Sequence, residues 1–143
     1  MLKLLPWRRD KPHYGPVVSR EYNPPATRAW PAVTAYFSTG HLVGVAIDAL
    51  LGPQVLLDGI PLVGRAPSRL AADLTAYTDV RDIFLQYTYL GDLASEELGL
   101  FGGSQRAHDV LLTRPVLVGT FWADRIGDYT ETHLPPAEWR NRR

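Results

Sequence analysis

The nine residues LLDGIPLVG, numbered 56 to 64, contain the clearest structural signal in the chain. Two short apolar runs flank the pair Asp58-Gly59, and such a pair supplies the positive φ angles that a two-residue type I′ hairpin turn requires. Pro61 follows the turn and cannot donate a hydrogen bond to a neighbouring strand, which is typical of a sheet edge or a strand end. The stretch therefore predicts a β-hairpin, and this geometry alone accounts for Asp58.

The segment after this hairpin predicts a helix. PSRLAADLTAY begins at Pro67, and proline suits the first turn of a helix because its missing N–H would have no partner there. Leu70, Leu74 and Tyr77 recur at positions i, i+4 and i+7, which places them on one apolar face of the helix. We expect this face to pack against a sheet.

The segments before the hairpin predict strands. Residues 32–39, AVTAYFST, have the two-residue period of a half-buried strand, and residues 41–48, HLVGVAID, are rich in Val and Ile. Gly44 inside the second segment indicates a bulge or a close backbone approach.

Later segments predict three more strands. Residues 83–90, IFLQYTYL, form one strand, and residues 108–123, HDVLLTRPVLVGTFWA, form two that separate near Pro115. The pair Gly102-Gly103 predicts a turn. Because short connections favour antiparallel neighbours, we expect an α+β fold with a mainly antiparallel sheet of five or more strands backed by one helix.

A chain of 143 residues has the length of one domain, and its composition divides it into three parts. Six prolines make residues 1–31 an extended Pro-rich arm, residues 32–126 form the α+β body, and residues 127–143 form a C-terminal tail. The arm has a formal charge of +4 and the body of −4. We expect the arm to dock on its own body, on a second copy or on another molecule.

Composition also restricts the cofactors and the location of the protein. The chain has no cysteine, which removes disulfides, thiolate nucleophiles and every cysteine-containing metal site. No apolar run reaches the ~18 residues of a membrane-spanning helix. Residues 1–10 lack the apolar segment of a secretory signal. We therefore expect a cytoplasmic protein without a membrane span, a metal site or a cofactor.

His108-Asp109 is the first candidate for catalysis, because a His–Asp pair can transfer protons or bind a metal. The histidines of the chain show no HxH or HExxH spacing, so the pair predicts a turn instead. Asp92, Glu96 and Glu97 are the second candidate. A small hydrolase that combines these acidic residues with the His–Asp pair is the alternative to a protein without catalytic residues.

Nucleic-acid binding is a further alternative. Trp7-Arg8-Arg9 and Trp139-Arg140 place aromatic rings beside guanidinium groups, an arrangement that suits single-stranded nucleic acid. The acidic body argues against this function, since nucleic-acid-binding domains present a basic face. Tryptophan and arginine are also enriched at the centres of protein–protein interfaces.

Residues 43–70, VGVAIDALLGPQVLLDGIPLVGRAPSRL, resemble small actinobacterial α+β proteins that share a GPxVxLDGIPLVGRxPSxL-like run. Some similar proteins look like immunity partners of secreted toxins. The resemblance covers about a fifth of the chain and consists of turn and core residues, so it implies a shared fold rather than a shared activity. The arm lies outside it.

Together these observations favour a non-catalytic protein-binding module of the immunity or adaptor type, which engages a protein partner through its sheet and its arm. The arm is suited to binding because its prolines reduce the ordering entropy that docking costs. A second copy of the chain is an alternative partner. The residues predicted to contact the partner are Trp7, Arg8, Arg9, Tyr14, Tyr22 and Trp30.

Overall fold

The computed structural model describes residues 17–22, 31–88 and 91–119. They form an α+β fold with a seven-stranded antiparallel sheet, a separate two-stranded hairpin and one helix, which confirms the predicted fold class. In chain order the elements are β1 (Val17–Tyr22), β2 (Val33–Ser38), β3 (His41–Ile47), β4 (Leu56–Leu57), β5 (Ile60–Pro61), α1 (Pro67–Asp79), β6 (Gln86–Tyr87), β7 (Leu93–Ser95), β8 (Leu100–Ala107) and β9 (Val110–Val118).

The large sheet has the order β1-β2-β3-β9-β8-β7-β6, so β1 and β6 are its two edges. β1 comes from the segment predicted as the arm, and it pairs with β2 along six residues. Of the other arm residues, the structure describes Pro31, which lies just before β2. Residues 1–16 and 23–30 lie outside the described residues. The C-terminal tail lies outside them as well.

Two local predictions are confirmed. Asp58 has φ 45° and Gly59 has φ 85°, the positive angles that a two-residue type I′ loop needs, and β4 and β5 pair on either side. The register between β2 and β3 shifts between Tyr36 and Phe37, beside the pairing of Tyr36 with Gly44. This is the irregularity that the glycine indicated.

The predicted turn at Gly102-Gly103 is wrong, because both glycines lie inside β8. A Cβ atom on Gly103 would lie 3.1 Å from the ring of Phe101 and 3.1 Å from the carbonyl oxygen of Arg114. This glycine therefore permits close packing within a strand rather than a change of direction.

The predicted break near Pro115 is also wrong, because β9 continues through it. The pairing of β9 with β3 covers Val116 to Val118 and so stops one residue after the proline, which means that this ladder needs no donor at Pro115. On the other side of the proline the backbone N–H of Thr113 donates to the carbonyl oxygen of Arg65 at 2.8 Å. A loop thus replaces β3 as the neighbour of β9.

Helix α1 begins at Pro67, as predicted, and covers one face of the sheet. Its buried residues are Leu70, Leu74 and Thr78, so Thr78 takes the place that the periodicity assigned to Tyr77. In the described ranges no helix is long and apolar enough to cross a membrane. The buried core cluster consists of Leu62, Leu70, Leu74, Leu93 and Leu100.

Candidate protein-binding groove

A groove runs along helix α1 on the side of the edge strand β6. A cavity of about 240 Å³ forms its first part, beside the first turns of the helix. A second cavity of about 350 Å³ lies beside the last turns. Tyr87 of β6 lines both cavities, so we treat them as one α1–β6 groove. The helix has 13 residues and is about 20 Å long, which matches about six residues of an extended chain.

One face of the helix lines the whole groove. Pro67 and Ala71 contribute to the first cavity, and Thr75 and Asp79 contribute to the second. These residues are four apart and therefore lie one above the other on the helix surface. The wall of the groove follows from the regular geometry of α1.

The first cavity has a buried carboxylate in its lining. The side chain of Asp92 is 3% exposed, and its Oδ1 accepts a hydrogen bond of 3.1 Å from the hydroxyl of Ser104. The backbone N–H of Asp92 donates to Thr88 Oγ1 at 3.2 Å, which fixes the start of β7 against the end of β6. Leu70 and Leu93 supply apolar walls. A carboxylate between such walls favours a cationic or N–H-donating group.

The second cavity lies where the chain leaves the helix. The backbone N–H of Ile83 donates to the carbonyl oxygen of Thr78 at 3.0 Å, and the hydroxyl of Thr78 donates to the carbonyl oxygen of Leu74 at 2.8 Å. Asp82 takes a left-handed conformation with φ 54°, which turns the chain towards β6. The carboxylates of Asp79 and Asp82 line this cavity.

Exposed apolar side chains surround the second cavity and β6. Val80 is 78% exposed, Phe84 67% and Tyr87 61%. Glu97 holds this rim in place, because its Oε1 accepts a hydrogen bond of 3.2 Å from the backbone N–H of Phe84. Exposed apolar patches with polar surroundings are typical of sites that bind another molecule.

The backbone of β6 also faces outwards. Gln86 pairs with Ala94 of β7, and the backbone N–H of Thr88 donates to the carbonyl oxygen of Asp92 at 2.8 Å. Because hydrogen-bonding directions alternate along an antiparallel strand, the N–H and C=O groups of Tyr87 face away from β7. In the part of the chain that the structure describes, β6 is the last strand on this side. An extended peptide can pair with such an edge.

The groove is uniformly acidic. The acidic residues that line its two cavities are Asp79, Asp82 and Asp92, and none of the described residues there is a lysine, arginine or histidine. A cleft lined by charges of one sign concentrates its electrostatic field and attracts the opposite charge. The groove is therefore suited to a basic ligand.

The structure places one of the predicted partner-binding residues. Tyr22 is the last residue of β1 and is 53% exposed, at the edge of the sheet opposite to the groove. The other predicted contacts lie outside the described residues: Trp7, Arg8, Arg9, Tyr14 and Trp30.

The residues of the alternative catalytic site lie in different places. His108 and Asp109 form the exposed turn between β8 and β9, which confirms the predicted turn, and neither lines the groove. Asp92 lies in the first cavity, about 13 Å from this turn along β8. Glu97 belongs to the rim of the second cavity. Across residues 17–22, 31–88 and 91–119, no three His, Asp or Glu side chains are placed to hold a metal ion.

Sequence reasoning missed the aromatic rim and Ser104. Residues 80–87, VRDIFLQY, contain apolar residues at positions 80, 83, 84, 85 and 87, more than one face of a single strand can bury. These surplus apolar residues could have predicted an exposed apolar surface that binds another molecule. The pairing of Ser104 with Asp92 had no comparable signal, because it joins different strands.

No protein-family model matches the chain, and the comparisons with curated proteins and with solved structures found no match. The resemblance of residues 43–70 to immunity-like proteins stays a prediction. The geometry of this chain is therefore the basis for the function that follows.

Proposed function

We propose that this protein is a non-catalytic protein-binding module of the immunity or adaptor type, which holds an extended segment of its partner in the α1–β6 groove. The observation that carries the proposal is the exposed aromatic pair Phe84 and Tyr87 beside the outward-facing backbone of an edge strand.

The groove offers the two components of strand addition. Outward backbone groups of β6 can form main-chain hydrogen bonds with an extended peptide, and the two cavities can receive alternate side chains of that peptide. Covering an exposed aromatic side chain such as Phe84 contributes roughly 1.5–3 kcal/mol. Aromatic residues at the centre of an interface are frequent hot spots.

Photo-crosslinking from the rim tests this function. A photoreactive benzoylphenylalanine replaces Phe84 in the full chain, and the protein is irradiated in a lysate of its source cells. We expect a protein adduct whose attached peptide maps to one extended segment, because that segment would lie against the rim. Mass spectrometry of the adduct identifies the segment, and an additional Tyr87→Ser substitution should reduce its yield.

The same photoreactive residue at Leu42 is the matched control. Leu42 is 55% exposed on β3, four strands from β6 and about 19 Å away across the sheet. The proposal fails if position 84 gives no more protein adduct than position 42, or if the attached peptides are scattered over unrelated proteins.

A further inference from the structure

We infer that the segment held in the α1–β6 groove is the N-terminal arm of a second copy of this chain, with Arg9 in the first cavity beside Asp92. This inference rests on the proposed function, because it names the extended segment that the groove receives. It also assigns a role to the predicted arm residues Trp7 and Arg9.

Charge complementarity favours the arm as the occupant. Asp79, Asp82 and Asp92 give the groove its negative charge, whereas residues 1–31 have six basic and two acidic residues. A guanidinium group can donate two parallel hydrogen bonds to one carboxylate, a geometry that an ammonium group lacks. An arginine is thus the side chain that fits the carboxylate of Asp92.

The spacing of the arm matches the groove. Pro6 and Pro12 disfavour a helix between them, so residues 7–11 are expected to be extended. Side chains of an extended chain alternate in direction, so an extended arm would present Trp7 and Arg9 on the same side, about 7 Å apart. The same alternation would direct Arg8 away from the groove.

Tyr87 fits this arrangement. It lines both cavities and is 61% exposed, so it is accessible to a guanidinium group that enters the first cavity. A cation near the face of a tyrosine ring is attracted by the ring, and Trp7 gains an aromatic neighbour. One residue of the groove thus contacts both side chains of the arm.

The reach of the arm favours a second copy over the same molecule. β1, where the arm ends, and β6 are separated by six strand spacings, about 29 Å at ~4.8 Å each. Arg9 precedes Val17 by eight residues, which span at most about 29 Å when fully extended. An arm crossing its own sheet would be fully taut and would still have to reach around helix α1.

Reciprocal exchange gives a closed dimer. Each copy carries one arm and one groove, so two copies related by a twofold axis can seat both arms. Another protein would then enter the groove only by displacing the arm. The exchange therefore regulates access to the same site.

Sedimentation of the full chain over a range of concentrations tests the exchange. Arg9→Gln should raise the dissociation constant of the dimer at least about tenfold, because it removes one partner of a buried charge pair. Arg8→Gln is the matched control, since it removes the same charge one residue away. We expect it to change the dissociation constant less than about threefold, through screened attraction only.

Complementation separates arm exchange from a structural effect. Asp92→Asn keeps an oxygen that can accept from Ser104 but removes the charge, and it should weaken the dimer as Arg9→Gln does. A mixture of the two variants should associate more tightly than either alone, because the intact arm of one fits the intact groove of the other. Ala71→Leu, which fills the first cavity from the helix, is a second groove variant with the same expected result.

The exchange is overturned if the parent chain is monomeric at every concentration, or if the mixture associates no better than its components. Loss of association in Arg8→Gln equal to that in Arg9→Gln also overturns it. If crosslinking from position 84 captures a different protein and never a second copy of this chain, the second copy is wrong while the proposed function stands. If position 84 captures nothing specific, both fail.

Discussion

Asp58 combines a role in its turn with a contact to the helix. The hydroxyl of Tyr77 donates to Asp58 Oδ2 at 2.9 Å, and the guanidinium group of Arg81 lies 3.8 Å from the centre of the tyrosine ring. The hydrogen bond to Asp58 raises the pKa of Tyr77 above its ordinary value, helped by partial burial and by the carboxylate charge, while Arg81 opposes the rise. These contacts connect the β4–β5 hairpin to α1.

Asp58→Asn should lower the pKa of Tyr77 towards its ordinary value. Asparagine suits the same turn because it also accepts positive φ before glycine, so the hairpin should persist. A raised folded-state pKa stabilises the fold below the unfolded-state pKa, and this contribution is lost as the pH rises through the folded-state value. The parent should therefore lose this contribution above pH ~10.

Difference absorbance of tyrosinate during alkaline titration measures this shift. Tyr77→Phe identifies which step of the titration belongs to residue 77, because the chain has seven tyrosines. An unchanged titration in Asp58→Asn would show that the hydrogen bond does not hold in solution.

Residue-scale contacts differ in how far sequence could predict them. The turn at Asp58-Gly59 depends on the φ angles of two adjacent residues, so the sequence predicted it. The bond from Tyr77 to Asp58 joins residues 19 apart and depends on the angle between hairpin and helix. Local periodicity contains no information about that angle.

At the scale of elements, helix α1 begins without a side-chain cap. Ala66 occupies the N-cap position with extended backbone angles of φ −61° and ψ 128°, and no side chain accepts a hydrogen bond from the first turn. Ala66→Ser should raise the free energy of unfolding by about 1 kcal/mol, since a serine hydroxyl can accept from an unpaired N–H at this conformation. Equilibrium urea unfolding measures the change.

Ala72→Ser is the matched control for the cap. Ala72 is exposed in the middle of the helix, where serine lacks the capping geometry and lowers helix stability by roughly 0.5 kcal/mol. Equal effects of the two substitutions would show that the start of α1 gains nothing from a cap.

The elements that sequence predicted are those with local causes. β2, β3 and α1 follow from alternation, β-branched residues and a proline at the first helical position. β9 was predicted as two strands because Pro115 lacks a donor, but the structure changes the neighbour of β9 at that point from β3 to a loop. The neighbour of a strand depends on the tertiary fold, so the residues around Pro115 could not predict this change.

The groove belongs to the scale of the whole molecule. Asp92 and Ser104 meet because β7 and β8 are neighbours, and Tyr87 meets the helix because β6 is the edge strand. Sequence analysis singled out Asp92 together with Glu96 and Glu97 and did not relate it to Asp79 or Asp82, which line the same groove. Strand order is what brings them to one surface.

Two truncations separate the role of β1 from that of the residues before it. Removing residues 1–16 keeps β1, whose six residues pair with β2, whereas removing residues 1–30 leaves β2 as a bare edge. Cross-strand pairs contribute roughly 0.2–1 kcal/mol each, so the longer truncation should be less stable than the shorter one by about 1 kcal/mol or more. Urea unfolding at low protein concentration measures both.

Self-association, unlike stability, should not distinguish the two truncations. The shorter truncation already lacks Trp7 and Arg9, so both truncations should remain monomeric while the full chain dimerises. The longer truncation also exposes the outward backbone of β2, and non-specific aggregation of that chain is the expected hazard. A shorter truncation that still forms the dimer would show that the binding determinants lie after residue 16, and that Arg9 is not the side chain that the carboxylate of Asp92 receives.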